Sequence, residues 1–239
     1  MHDSDLKKFY DQQAVRQVDP ATYHLMWYRF YTMMNMIRGK RLSILEIGAG
    51  DGDIVFTLTK KGHSCFAMDI SDIRLKRYEA MAHQQGIRQL LGNVEEKIPL
   101  ENESLDAVLC GEIIEHVPDN DKAIEEIRRV LKRNGQFILS VPYKETLKIT
   151  KCPDCGKQFE LNGYLHTYDK QSVRSLLEQH GFAVVETHIG HTKFSREIWK
   201  RWHSSAAVRL CHLIDKLTYG LFKASDTWIM TKGIKKVKV

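Results

Sequence analysis

The chain has 239 residues, 43% of them hydrophobic and 28% charged, with a net charge of +6 and five cysteines. That is enough for one domain with elaborations around a single core. It contains no apolar run long enough to span a bilayer, and an odd, scattered set of cysteines argues against a disulfide framework. Met1 to Arg16 is too polar for a targeting core, so a cytoplasmic, reducing compartment is expected.

Residues 1–40 precede the first strand and are expected to form a helical cap. Leu6, Phe9 and Tyr10 recur at helical spacing, and Tyr23 to Ile37 carries Leu25, Met26, Trp27, Phe30, Met33, Met34 and Ile37. Residues 41–239 are expected to form the main domain. Ile44 to Ile47 has the length and branching of a buried strand, and it runs into glycines at positions 48, 50 and 52. Ile54 to Lys61 then reads as a helix stopped by Gly62. Strand, glycine turn and helix open a doubly wound α/β domain, whose ligand lies beyond the carboxyl ends of the strands.

The ligand follows from the charges at that turn. Asp53 stands where the dinucleotide fingerprint would have its third glycine, and Asp51 adds a second carboxylate where a pyrophosphate needs positive potential. A cationic ligand without phosphates, such as the sulfonium S-adenosylmethionine, suits Glu46, Asp51 and Asp53 better. Cys65 to Met68 is a second strand ending at Asp69, about twenty residues past the glycine loop, where ribose hydroxyls are accepted.

Ser71 caps a helix expected to reach Gln85, with Gly86 as its stop. Gln89 to Leu91 is a third strand, Glu95 to Glu103 a loop, and Leu105 to Leu109 a fourth strand whose continuation, Cys110-Gly111-Glu112, points to the ligand side. The apolar spacing of Ala123, Ile124, Ile127, Val130 and Leu131 predicts a helix over 119–133, ended by Asn134-Gly135. Gln136 to Pro142 is the fifth strand.

Five ordered segments of this chain resemble the class I S-adenosylmethionine-dependent methyltransferases, particularly the group similar to the quinone-biosynthesis methyltransferases. They are Glu46 to Gly52, Met68 to Ser71, Gly92 to Pro99, Leu105 to Val108, and Glu115 to Val117. The resemblance implies a Rossmann-like, seven-stranded sheet, mostly parallel with the last strand antiparallel. It implies a cofactor site of Glu46, Gly48, Ala49, Gly50, Gly52, Asp69, Ile70, Asn93, Val94 and Cys110, with Tyr10, or else Tyr23, reaching in from an N-terminal lid. The family usually has aspartate at the position of Asn93, whose carbonyl oxygen can still accept from adenine. His116 is the first candidate general base for a hydroxyl acceptor, with Tyr143 and His166 behind it.

The segment 143–168 interrupts the alternation with Cys152-Pro153-Asp154-Cys155-Gly156, a knuckle whose two thiolates can grip a structural zinc ion. His166 is the nearest third ligand, and His180, His188, His191 or a second protomer would complete the site, making a homodimer an expectation to test. Asp169 caps a helix through His180, and Ala183 to Ile189 is a sixth strand. Residues 194–222 read as an amphipathic helical segment, able to pack on the domain, touch a membrane surface or cover a lipidic acceptor. Trp228 to Thr231 is the last strand, and the lysines at 232, 235, 236 and 238 read as a solvated tail.

The expected activity is methyl transfer to a small-molecule or lipid-linked hydroxyl or amine. The rival is a catalytically silent nucleoside-binding or scaffold domain that holds RNA or protein through the knuckle and basic tail. Nucleic acid is disfavoured as a partner, since the basic residues are not interleaved with aromatic stacking positions. A nicotinamide-dependent oxidoreductase is set aside on Asp53.

Overall fold

The structure is a computed structural model, and it describes residues 11, 20–151, 156, 158–190, 193–202, 205–218 and 228–237. Helix α1 (Pro20–Met36) leads into β1 (Ser43–Ile47), α2 (Asp53–Lys60), β2 (Ser64–Asp69), α3 (Asp72–Arg77), α4 (Glu79–Gln84) and β3 (Arg88–Leu91). Then come β4 (Leu105–Gly111), a 3-10 turn (Ile114–His116), α5 (Asn120–Val130) and β5 (Leu131–Pro142). The hairpin β6 (Ile149–Lys151) and β7 (Gln158–Glu160) follows, then α6 (Lys170–Gln179), β8 (Phe182–Gly190), α7 (Lys193–Arg201), α8 (Ser205–Thr218) and β9 (Trp228–Lys235).

Seven strands form one sheet in the order β3-β2-β1-β4-β5-β9-β8. Strands β1 to β5 run parallel, while β9 lies antiparallel between β5 and β8. Both faces are covered, which is why these strands read as continuous apolar runs rather than alternating ones. Ile44, Ala67, Ala107 and Leu109 face the layer with α1, α2 and α4, whereas Leu45, Phe66, Val108 and Cys110 face the layer with α5 and α6.

Three local expectations change. The Ser71 hydroxyl caps α3 by accepting from Arg74 N, but the helix breaks at Tyr78 (φ −123°, ψ 16°), leaving two short helices where one was expected. Helix α5 stops at Val130 rather than Arg133, because Leu131 is extended and pairs with Leu105. Asn134 (φ 59°) then lies in a bulge of β5 opposite Asp106, whose carboxylate holds Lys132 Nζ and Ser43 N, so Asn-Gly marks a strand irregularity. The segment 194–222 is two helices, α7 and α8, with residues 219–222 outside the described ones.

Two of the four lysines of the expected solvated tail lie in strand β9 instead. Lys232 and Lys235 are only 5% and 7% exposed. Lys232 Nζ donates to Met36 O, the last carbonyl of α1, at 2.8 Å, and Lys235 Nζ donates to Leu131 O at 2.6 Å and to Glu103. A cation on an orphan helix carbonyl offsets the cost of burying it. Lys232 thereby pins α1 across the sheet, and two of the four lysines leave the basic tail on which the scaffold alternative drew.

Candidate functional site

A cavity of about 400 Å³ opens beyond the carboxyl ends of β1, β2 and β4. The three ends are level because Ile47 pairs with both Met68 and Cys110. One half is lined by Glu46 to Asp51, Asp53, Asp69, Ile70, Arg74, Arg77 and Gly92 to Val94, the other by Met26, Arg29, Phe30 and Met33 of α1 with Gly111 to Ile113, His116 and Val117.

In the first half the glycine turn is fixed from below. Gly48 N and Ala49 N both donate to Met68 O, at 2.8 and 3.0 Å, and Gly48 (φ 72°), Gly50 (φ 55°) and Gly52 (φ 83°) adopt the left-handed backbone that glycine tolerates. Asp69 accepts from Gly50 N and Ser71 N, both at 2.9 Å, which ties the second strand end to the turn. With Ile70 N also bonded to it, that carboxylate still keeps acceptor capacity beyond its backbone donors. Glu46 Oε2 accepts from Val55 N at 3.2 Å. Burial raises the pKa of both acids, Glu46 the more strongly. Asn93 Oδ1 accepts from Glu95 N at 3.1 Å, in a turn that sets the amide in the wall.

The charge balance differs from the expectation drawn from Asp51 and Asp53. Arg74 and Arg77 of α3 line the same half, and Arg77 pairs with Asp51 at 3.2 Å. Asp51 is therefore compensated locally and does not by itself exclude an anion. What disfavours phosphate at the start of α2 is narrower: Asp53 occupies the first turn, and Val55 N is already committed to the Glu46 carboxylate.

The second half holds groups the sequence reading had not assigned to a site. Arg29 is 6% exposed, with Nη1 3.1 Å from Glu112 Oε1 and its guanidinium over the rings of Phe30 and Trp228. Glu112 is held by Ser140 Oγ and Trp228 Nε1, at 3.1 and 3.0 Å, and has φ 58°, a left-handed backbone uncommon for a non-glycine residue. Burial lowers the Arg29 pKa to about 10. The signal that could have found Arg29 was its position as the lone charge within the apolar run Met26 to Met34.

His116 lines this half, and its Nδ1 is 3.0 Å from Gly163 O. A carbonyl only accepts, so Nδ1 carries the proton and Nε2 is the basic nitrogen. Burial lowers the pKa of this histidine, keeping it neutral at neutral pH. Its neighbour Glu115 is fully buried, neither carboxylate oxygen has a hydrogen-bond partner among the described residues, and burial raises its pKa to about 8. The end of the 143–168 segment is latched beside them: Leu165 N and His166 N donate to Glu115 O at 2.8 and 3.1 Å.

The remaining expected site residues fall elsewhere. Cys110 does not line the cavity; strand alternation turns it into the core while Leu109 and Gly111 face the opening. Gly52 caps α2 behind the turn, and an added Cβ there would meet Phe56 and Tyr78 rather than a ligand. Tyr143 sits against the core beside Tyr168, outside the cavity wall. Tyr10 lies outside the described residues, as does the side chain of Tyr23, although Asp11 bonds the Ser71 hydroxyl at the cavity edge. Cys152 and Cys155 are likewise outside them.

No group of three potential metal ligands occurs among the described residues. The histidines expected to join the knuckle are engaged apart from one another: His166 with Val117 O, His180 with Leu176 O and Asp121, His188 with Tyr28 and Asp215. His191 lies outside the described residues.

The profile of a family described as "Methyltransferase domain" matches residues 45–139. A ubiquinone/menaquinone biosynthesis C-methyltransferase of Bartonella henselae is 28% identical over 169 residues, which is 64% of this chain and 65% of that protein, so the match stops short of the relative's full length. An uncharacterised Methanocaldococcus jannaschii protein is 33% identical over 138 residues, 54% of this chain and 57% of its own. Among solved structures, a Burkholderia thailandensis 1,6-didemethyltoxoflavin N1-methyltransferase, bound to its substrate and S-adenosylhomocysteine, superposes with a TM-score of 0.65 at 15% identity, covering 98% of this chain and 87% of that one. Residues 45–139 thus match a methyltransferase domain, and the chain shares the fold of the Burkholderia enzyme.

Proposed function

We propose that this chain is an S-adenosylmethionine-dependent methyltransferase acting on a small-molecule or lipid-linked acceptor through a hydroxyl or amine. The observation that carries this reading is the cavity itself: a glycine turn tied to the acid at the end of β2 on one side, and on the other apolar residues of α1 around the Arg29–Glu112 pair, with a neutral histidine. The name of the Bartonella relative supports methyl transfer, and the S-adenosylhomocysteine in the Burkholderia structure supports the donor.

The residues fit that donor. Asp69 keeps acceptor capacity for ribose hydroxyls, the bare turn at 48–50 allows close approach, and a cation bound beside Glu46 and Asp69 would favour their charged forms against the burial that raises their pKa. Bound there, S-adenosylmethionine would supply an electrophilic methyl group, and its sulfur would leave as a neutral thioether. The chain's own work is then chiefly alignment, which α1 and the turn at 113–117 perform from the acceptor side. For a hydroxyl acceptor His116 Nε2 takes the proton, since Nδ1 is committed to Gly163 O. An amine that arrives unprotonated needs no such base.

Calorimetric titration is expected to show binding of S-adenosylmethionine and of S-adenosylhomocysteine. Heat from a phosphorylated nucleotide but from neither of these would overturn the reading. With labelled donor and cell extract as acceptor source, the His116→Gln variant is expected to lose roughly 10²-fold in kcat on a hydroxyl acceptor. In the parent the rate should hold from neutral pH upward and fall as pH drops through a value below the ordinary histidine range, because burial lowers that pKa. Undiminished turnover in the variant removes His116 from the chemistry.

A further inference from the structure

We propose that the outer face of α8, with Trp202 at its head, is a docking surface for an anionic lipid bilayer. A helix at the edge of a domain normally buries one apolar stripe and turns polar residues outward. Helix α8 is apolar on two sides. Ala207, Val208 and Cys211 are buried against Trp199 and Tyr28, while Leu210, Leu213 and Leu217 are 38%, 55% and 67% exposed and Trp202 is 63% exposed. The spacing 206, 209, 210, 213, 216, 217 places the exposed residues on one continuous face. Folding of the domain does not require that second stripe.

The charges choose the occupant. On the exposed face the leucines are flanked by Arg209 and Lys216, with Arg201 beside Trp202. The one acid of α8, Asp215, is turned inward and fully buried, accepting from Tyr28 OH at 2.6 Å. Glu197 on α7 is the exposed acid nearest in sequence. An apolar stripe bordered by basic residues matches a helix lying in the headgroup region of anionic lipid. A second copy of the same face is a poorer occupant, since a two-fold contact would set Arg209 and Lys216 against their own equivalents. No helix among the described residues is long and apolar enough to cross a membrane, so the contact is peripheral.

The placement matters because of what lies beneath. Helix α1 is sandwiched between α8 and the cavity: Tyr28 and Thr32 bond Asp215 and His212 of α8, and Met26, Arg29, Phe30 and Met33 face the opening. A bilayer seated on α8 would be two helices, α8 and α1, from the cavity. The surface itself does not depend on the methyl-transfer reading.

The full chain should float with vesicles containing about 30 mol% phosphatidylserine in phosphatidylcholine, and far less with phosphatidylcholine alone. Raising salt from about 0.1 M to about 1 M should release most of it. The Leu213→Glu/Leu217→Glu variant is expected to lose at least about tenfold in bound fraction, and Arg209→Gln/Lys216→Gln about fivefold per charge. These residues are exposed, so melting temperature and S-adenosylmethionine binding without vesicles should be unchanged, which separates failure here from failure of the proposed reaction. Equal flotation of parent and leucine variant, or no flotation with phosphatidylserine at low salt, overturns the proposal. So does a concentration-dependent dimer that the leucine variant abolishes, which would give the face to a second copy.

Discussion

Replacing Gly48 by valine should weaken binding of S-adenosylmethionine by on the order of 100-fold, and by alanine about tenfold. Gly48 has φ 72°, and its amide is fixed on Met68 O, so the backbone cannot relax to suit a side chain. A Cβ would stand 2.3 Å from Ile113 Cδ1 and 2.7 Å from its Cγ1. Ile113 lines the cavity and would be driven into the space a ligand needs. Gly62 is the matched control: φ is 87° there, but nothing lies within 4 Å of an added Cβ and the position is outside the cavity. Gly62→Ala should therefore cost stability alone, about 1–2 kcal/mol from the left-handed backbone. Calorimetric affinities that fall equally in both variants, or in neither, would show that the turn at 48 does not touch the donor.

The second large effect concerns Glu115. Its folded pKa of about 8 lies above the ordinary value, so the folded state retains a proton that the unfolded chain gives up. Its contribution is then fully present below the unfolded pKa of about 4.3 and is lost progressively as pH rises toward the folded value. By pH 7 that loss amounts to on the order of 3 kcal/mol. Glu115→Gln keeps the shape and cannot ionise, so the stability difference between parent and variant should widen in the variant's favour as pH rises. Urea unfolding at a series of pH values reads this directly. Other acids cancel in the difference, including Glu46, whose pKa burial also raises, and Asp106 and Glu126, whose hydrogen bonds lower theirs. A difference that stays constant between about pH 5 and 8 would show that the buried acid is charged throughout.

Much of the layout was legible because it rests on short-range rules. The run Ile44 to Ile47, the three glycines and the helix after them announce themselves through a turn closed by its own residues. The acid at position 69 was found the same way, by strand length and spacing. The side of the sheet on which Cys110 falls was not legible: the two faces are both apolar here, so alternation leaves no trace in the sequence. The stop at Asn134-Gly135 failed because Leu131 finds a partner in Leu105, and that pairing overrides the helical spacing.

Lys232 and Lys235 show the larger boundary. In the sequence they belong to a lysine-rich end; in the fold they sit under carbonyls of Met36 and Leu131, nearly 200 and just over 100 positions away. The same holds for Arg29, Glu112 and Trp228, and for Tyr28 against Asp215. By itself the sequence determined the strand-turn-helix unit, the mostly parallel sheet and the glycine turn that lines one side of the cavity, because backbone sterics and residue spacing act locally. The acceptor half, the charge compensation of Asp51 and the outward apolar face of α8 were decided only by tertiary structure. Burial and pairing depend on which distant segments meet, and a buried charge is stable only where the fold brings its partner.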